Sequence, residues 1–475
     1  MMEQKQPILN LNNEASYWLG NRNRIKDQFV VYNQQGKNKF FDTIKESKEH
    51  SSMGIIIPNL ATMGTITRRA TENTWLTASN AKKNRIGSEL KSLVEAPKGY
   101  CFVGADVDSE ELWIASLVGD SMLQIHGGTA LGWMTLEGEK SQKTDLHSKT
   151  ASILGISRND AKVFNYGRIY GAGVKFATRL LKQFNANITD EEADKVARQL
   201  YDSTKGRTAV SKYLPLKIYY GGTESIMFNA LEAIAQQEEP KTPVLGASIT
   251  DALNVKNLNT NQYMTSRVNW TIQSSGVDYL HLLIISMEYL IEKYGIDARL
   301  AITVHDELRY LVKETDKYKA ALLLQISNIW TRAMFCEQLG IKEVPQSCAF
   351  FSEVDIDHVL RKEVSMDCVT PSNPTPIPLG ESLNIGQLLL KCQHGDILAD
   401  KNTKPLTLRT TKYSPRQPII NQLDKNLTIA EKIAKIELQT SIDKDEWKKN
   451  LYNLAKVSRN KQNGKNNSTE KPQRV

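Results

Sequence analysis

The hydrophobic pattern alternates most clearly in two places. YCFVGADV, from Tyr100 to Val107, is rich in β-branched and aromatic residues and predicts a strand. Ser109 to Val118 follows as a helix, with Ser109 placed to cap it. In ARLAITVHDELRYLV, Leu300, Ile302 and Val304 precede His305-Asp306-Glu307, and Leu308, Tyr310 and Val312 follow. This predicts two strands with acids at or near the turn between them. Asp120 to about Thr265 carries mostly helical periodicity. Val277 to Ile291 is apolar but broken by His281 and Glu288, which predicts an amphipathic core helix. No run of about eighteen apolar residues occurs, so no transmembrane helix is expected.

One helical pattern is unusual. In RNDAKVFNYGRIYGAG, starting at Arg158, the residues Arg158, Lys162, Tyr166 and Tyr170 fall at intervals of four. A four-residue step drifts only about 40° around a helix, so all four project from one stripe. Ser157 can cap this helix, and Asp160 sits three residues on, as in a capping box.

The ends read differently from the middle. Met1 to about Met53 is polar and weakly periodic. CVTPSNPTPIPLG, starting at Cys368, holds four of the fifteen prolines and reads as a linker. LTIAEKIAKIEL is a short helix candidate, and the final RNKQNGKNNSTEKPQRV is low-complexity and expected to be disordered. Ser365 to the end holds 18 Lys and Arg against 11 Asp and Glu, nearly all of the chain's net +8. A basic tail suits a polyanionic partner, and it equally suits a solvated, disordered one.

Composition narrows the class. A chain of 475 residues with 40% hydrophobic and 24% charged residues has the make-up of a soluble globular protein of two or three domains. Its five cysteines are odd in number and form no CxxC, which points to a reducing compartment and away from disulfides or structural zinc. The N-terminal sequence resembles neither a secretory signal nor a transit peptide.

Candidate chemistry follows from two acids and the stripe. Asp106 ends one predicted strand and Asp306 lies at the turn of the other pair. Mg²⁺ prefers one or two carboxylates plus phosphates and water, and two such ions about 4 Å apart clamp an in-line phosphoryl displacement. Acids at a turn or a helix start are also ordinary, so neither motif decides alone. On the stripe, Arg158 and Lys162 lie near the exposed amides of a helix start, with His147 and Lys149 just upstream, which favours an anion. Tyr166 and Tyr170 offer flat faces for a base or sugar. A nucleoside triphosphate suits the whole stripe. A surface helix with two half-buried tyrosines shows the same spacing, and periodicity does not separate the two.

The wording and order of these segments resemble family A DNA polymerases, and among them the mitochondrial replicative branch in its fungal form. VGADVDSEELWIASLVGD is similar to motif A, RNDAKVFNYGRIYGAG to motif B, and VHDELRYLV to motif C. GTITRRATENTWLTASNA, from Gly64, and TSRVNWTIQSSGVDYLHL, from Thr265, resemble the template-primer segments. The likeness runs from about Gly54 to Arg361. It implies an α+β fold: an antiparallel palm sheet with helices, helical fingers, and a disordered C-terminal extension. The implied divisions are an N-terminal remnant to 53, palm at 54–125, fingers at 126–264, palm again at 265–362, and a proline-containing, basic extension at 363–475.

The resemblance also implies roles. Asp106 and Asp306 would bind two Mg²⁺ ions, with the Val107 carbonyl assisting. His147, Arg158 and Lys162 would hold the triphosphate, and Tyr166 and Tyr170 would line the nucleotide site. Glu111 with Tyr170 would exclude a ribose 2′-hydroxyl. Arg69, Asn269, Gln273 and His305 would contact the primer-template. The expected partners are primer-template DNA and dNTPs, without membrane insertion and, in the fungal form, without an accessory subunit. The expected location is the mitochondrion.

Motif A begins near residue 103, which leaves no room before it for an exonuclease, spacer and thumb. The chain thus reads as a carboxyl-terminal portion, a split gene product or a truncated gene model, expected to bind primer-template poorly and extend it distributively. The alternatives are a non-catalytic or weakly active nucleic-acid-binding remnant, and a metal-dependent nuclease. A nuclease leaves the Arg/Lys/Tyr stripe unexplained.

Overall fold

The structure is a computed structural model. It describes residues 5–32, 54–76, 91–185, 187–210, 217–257, 263–369, 374–398, 423 and 426–468. Parts of the polar N-terminal stretch, the end of GTITRRATENTWLTASNA, part of the proline segment and the last residues lie outside them. The chain forms two compact units. The first comprises Met1–Val107, Met287–Gln325 and Phe351–Leu406; the second comprises Asp108–Ser286, Ile326–Phe350 and Thr407–Val475.

In the first unit, a two-stranded pair joins β1 (Phe29–Tyr32) to β2 (Gly54–Ile57). The main sheet has five antiparallel strands: β3 (Tyr100–Asp106), β6 (Ala298–Val304), β7 (Glu307–Lys313), β8 (Val354–Asp357) and β9 (Glu381–Leu383). Their spatial order is β6-β7-β3-β8-β9. β3 is central and covered on both faces, with Cys101, Phe102, Val103 and Ala105 all buried. β6 lies at an edge, so its outer residues are exposed and Leu300 stays 38% accessible. As the alternation predicts, β6 and β7 form a hairpin, pairing Val304 with Glu307 around the two-residue turn His305-Asp306. Gly104 permits the close approach of β7: a Cβ there would lie 2.2 Å from the Leu308 carbonyl oxygen.

The proline segment is not a free linker where it is described. It wraps Arg361, whose side chain is fully buried. That guanidinium pairs with Asp357, Nε to Oδ2 at 2.6 Å, and donates to the carbonyl oxygens of Met366, Ile377 and Pro378. Arginine has five N–H donors to satisfy, and backbone carbonyls of a proline-rich strap have few competing donors. The chain then enters β9, where Val354 pairs with Leu383.

The second unit is mainly helical. Its helices include Glu110–Asp120, Leu146–Leu154, Arg158–Ile169, Val174–Phe184, Asp190–Thr204 and Ser225–Ala235. Phe164, Ala177, Leu181, Ala193, Ala197, Leu200 and Tyr201 form one buried cluster. A short hairpin joins β4 (Arg207–Ala209) to β5 (Ile218–Tyr220).

Two expectations need correction here. Ser109 occupies the cap position of Glu110–Asp120, but its backbone is left-handed (φ 46°) and its hydroxyl makes no capping bond. A capping side chain needs an extended backbone to reach the first amides, so Glu110 and Glu111 complement this helix start instead. The disordered extension is likewise overturned over its described part. Helices Ile429–Thr440 and Lys444–Ser468 follow each other, the first opened by a Thr428/Glu431 capping box. Leu438 and Trp447 pack on Tyr220, with the Trp447 and Tyr220 rings 5.4 Å apart. Their apolar residues give a basic tail enough surface to bury.

Candidate active site

The first unit assembles the acids. Asp106 is the last residue of β3 and pairs with Glu307 across to β7. The Val107 N–H continues that ladder, donating to the Asp306 carbonyl at 3.1 Å. Asp106 and Asp306 are therefore brought to the same end of the sheet by strand register. His305 is exposed and adopts φ 58°, which the tight turn requires. Arg69 is half-buried in a turn whose Thr65 hydroxyl accepts its N–H at 2.9 Å.

Behind these acids lies a charge network that the sequence did not reveal. Glu307 is only 2% accessible, so it is no solvated turn residue. Its Oε1 accepts from Arg309 Nε at 2.9 Å, and its Oε2 lies 3.5 Å from Lys91 Nζ and 3.7 Å from Lys362 Nζ. Arg309 also donates to Asp355 at 2.9 Å. Lys362 Nζ lies 3.1 Å from Asp106 Oδ2. Burial alone would raise the Glu307 carboxyl, but Arg309, Lys91 and Lys362 together hold it below the usual range. Burial lowers Lys91, whereas Lys362, which burial would also lower, is raised by Asp106, Glu307 and Asp306. The available signal was Glu307 and Arg309 two apart on β7, hence on the same face of a central strand.

The donor set fits a hard cation. An ammonium already lies against the Asp106 carboxylate. Among the described residues, no three His, Cys, Asp or Glu side chains form a ready-made metal cage. Carboxylate oxygens are the donors that a hard divalent ion takes.

The second unit carries the stripe. Ser157 caps Arg158–Ile169 by accepting from the Asp160 N–H at 3.1 Å, and its hydroxyl also donates to the Asp160 carboxylate. The helix ends one residue before Tyr170. Tyr170 nevertheless keeps its place on the stripe, because its N–H still bonds to Tyr166 four residues back. Beyond it, Gly171 at φ 86° closes a Schellman motif, with Ala172 N–H on the Gly167 carbonyl and Gly171 N–H on that of Arg168. The helix is anchored by the buried Phe164, Asn165, Arg168 and Ile169, and Arg168 is paired internally with Glu224.

The four stripe residues are half-buried or exposed, and each has neighbours. Arg158 donates to Asp145 through Nη2 at 2.8 Å and Nε at 3.2 Å. Asp145 would be raised by burial, but bonds from Arg158 and Ser148 hold it below the usual carboxylate range. Lys162 Nζ is 5.8 Å from the Tyr166 ring centre, and that ring is 5.9 Å from Tyr170 and 5.8 Å from His147. The Tyr170 hydroxyl donates to the buried Glu111 carboxylate.

His147 is 4% accessible. Its Nδ1 meets the Asn165 amide nitrogen at 3.1 Å. An amide nitrogen only donates, so Nδ1 accepts and Nε2 carries the hydrogen. That Nε2 is buried without a hydrogen-bond partner. Burial first, then Arg158 and Lys162, depress His147 to about 4. It is a neutral donor at pH 7, aimed by Asn165. Asn165 and Asp145 are positioning groups that the four-residue spacing could not show. On the helix Met264–Tyr294, Asn269 and Gln273 lie one turn apart on the same half-buried stripe. The Asn269 Oδ1 is also buried without a partner.

An antiparallel sheet with strand-end acids lies in one unit, and a helix bearing cations and aromatic rings lies in the other. The profile described as DNA polymerase family A matches residues 14–350, and the chain belongs to that family. It is 62% identical over 435 residues to a DNA polymerase gamma of Komagataella pastoris, covering 92% of this chain and 41% of that protein. It is 60% identical over 426 residues to DNA polymerase gamma of Saccharomyces cerevisiae, covering 88% of this chain and 34% of that protein. The Neurospora crassa relative, named DNA polymerase gamma, mitochondrial, is 58% identical over 420 residues, covering 87% of this chain and 29% of that protein. The chain thus spans well under half the length of these relatives.

Proposed function

We propose that this chain carries the catalytic core of a DNA-templated DNA polymerase that adds dNTPs to a primer 3′-hydroxyl in mitochondrial DNA replication. The observation that carries the reading is the register placing Asp106 and Asp306 at one end of adjacent strands, in a chain of family A. Asp106 and Asp306, with the Val107 carbonyl, would hold two Mg²⁺ ions, whose chemistry when bound is to stabilise charge on attacking and leaving oxygens.

The chain's own residues do the rest. His147 would donate Nε2–H to a phosphate oxygen, and Arg158 and Lys162 would add charge-assisted bonds. Holding the triphosphate in one orientation turns a bimolecular encounter into an aligned displacement, with pyrophosphate leaving. Tyr166 and Tyr170 would meet sugar and base. The Glu111 carboxylate, fixed by Tyr170, would oppose a 2′-hydroxyl. Asn269 and Gln273, with Arg69 and His305, would contact primer-template through minor-groove acceptors that differ little between base pairs. The relatives' names support the mitochondrial location. Among the described residues, no helix is long and apolar enough to cross a membrane.

Primer extension with Mg²⁺ and dNTPs, comparing the chain with Asp306→Ala, tests the reading. Extension is expected to fall by at least about 10³-fold in the variant, as loss of a group stabilising transition-state charge implies. Equal extension by the two would sink it.

A further inference from the structure

We propose that Lys362 is a positioning residue whose ammonium holds Asp106 when no divalent ion is bound and yields when one binds, so that metal loading is an exchange of cations. The inference rests on the metal-binding reading of Asp106 and Asp306.

Three observations carry it. First, Lys362 Nζ lies 3.1 Å from Asp106 Oδ2, a hydrogen-bonding distance to an oxygen the metal would use. Second, Lys362 is anchored from behind. Its carbonyl oxygen accepts from Arg309 Nη2 at 3.4 Å, and Arg309 is clamped between Glu307 and Asp355. Its side chain is 24% accessible, against 48% for Asp106, so the ammonium is delivered to the acid from a packed stem. Third, a second carboxylate lies beside the first: Glu307 Oε2 is 3.7 Å from the same ammonium.

The two cations compete on geometric grounds. Mg²⁺ binds carboxylate oxygen at about 2.1 Å. An ammonium left at its observed distance from Asp106 Oδ2 would then sit roughly 5 Å or less from that ion, where like charges repel. Moving toward Glu307 relieves the repulsion without leaving the ammonium unpaired. Glu307, already held by Lys91 and Arg309, would then serve as the resting place for the displaced cation.

Lys362 is therefore distinct in role from a ligand. It neutralises the acids while they wait and sets how much divalent ion is needed to claim them. Arginine at this position would keep a cation there, whereas methionine or glutamine would remove it.

The test is Mn²⁺ binding to the chelator-treated chain, followed by electron paramagnetic resonance without DNA or nucleotide. Lys362→Met and Lys362→Gln are both expected to bind Mn²⁺ about fivefold more tightly than the unaltered chain, the worth of one partly exposed ion pair. Lys362→Arg is expected to stay within about twofold of it. Unchanged or weaker binding in both neutral variants overturns the exchange. Asp306→Asn separates the two layers of the argument. If Asp306→Asn weakens Mn²⁺ binding while the neutral Lys362 variants leave it unchanged, only the exchange fails. If Asp306→Asn leaves binding as it was, the metal assignment fails and takes the exchange with it.

Discussion

The phenol of Tyr170 donates a hydrogen bond to the carboxylate of Glu111, joining the residue just beyond one helix to the first turn of another. Glu111 is 7% accessible, so this bond fixes the orientation of a buried acid. In the proposed nucleotide site that acid would face the sugar. Tyr170→Phe removes this donor from the Glu111 carboxylate. Discrimination against ribonucleotides is expected to drop about tenfold, with a smaller loss for the matching dNTP. Single-nucleotide kcat/KM for dNTP and rNTP pairs checks this. Unchanged discrimination in both Tyr170→Phe and Glu111→Ala would remove the gate from the mechanism.

His147 gives a pH prediction with a definite sign. Its folded value of about 4 lies below the ordinary 6.5 of histidine, so the unfolded chain takes up the proton first. The stabilisation from a neutral, buried His147 is fully present above about pH 6.5 and is lost as pH falls toward 4. The loss across that window should be on the order of 2 kcal/mol. Equilibrium unfolding at pH 7 and pH 4.5, in the chain and in His147→Gln, isolates it, because glutamine does not titrate. An equal slope in both would refute the assignment. The same variant is expected to raise the KM for dNTP more than it lowers kcat, since a positioned donor is lost without disturbing the acids.

Much of this site was legible because its signals are local. The Tyr100–Asp106 strand, the hairpin turning at His305-Asp306, the Ser157 cap and the four-residue stripe each depend on neighbours within a few positions. The family motifs covered the same ground. What stayed hidden depends on distant partners. Lys91 and Glu307 stand 216 positions apart, yet both are buried. Hydropathy reads such residues as solvated, and only the fold shows that each satisfies the other. Ser109 failed as a cap because backbone conformation, not residue type, decides where a hydroxyl points. The proline segment misled for a related reason: its prolines break regular structure, but its Ile377 and Pro378 carbonyls help satisfy a buried arginine.

That network also predicts where stability resides. Removing one partner of a buried ion pair leaves the other uncompensated and commonly costs about 3–5 kcal/mol. Glu307→Gln strips the shared negative charge from Lys91, Arg309 and Lys362 together, and should fall in that range. Lys91→Met should cost less, because Arg309 still holds Glu307 at 2.9 Å. The double variant is expected to be less destabilised than the sum of the singles. Chemical unfolding of the three variants measures the coupling; strict additivity would show that the pair does not interact.

Gly104 tests whether strand register controls the acids. It sits two residues before Asp106 on β3 and opposite Arg309 on β7. A methyl group there would lie 2.2 Å from the Leu308 carbonyl oxygen and 2.4 Å from Arg309 Cδ. The arginine side chain is flexible in principle, but here it is clamped by Glu307 and Asp355, and the carbonyl is part of the ladder. Neither can move without parting β3 from β7. Gly104→Ala is therefore expected to cost about 3 kcal/mol or more, at the upper end for overpacking a core. It should also weaken Mn²⁺ binding, because Asp106 and Asp306 share an end only while that register holds. Retention of wild-type stability together with wild-type Mn²⁺ affinity would mean that the two strands tolerate separation and that something other than their pairing aligns the carboxylates.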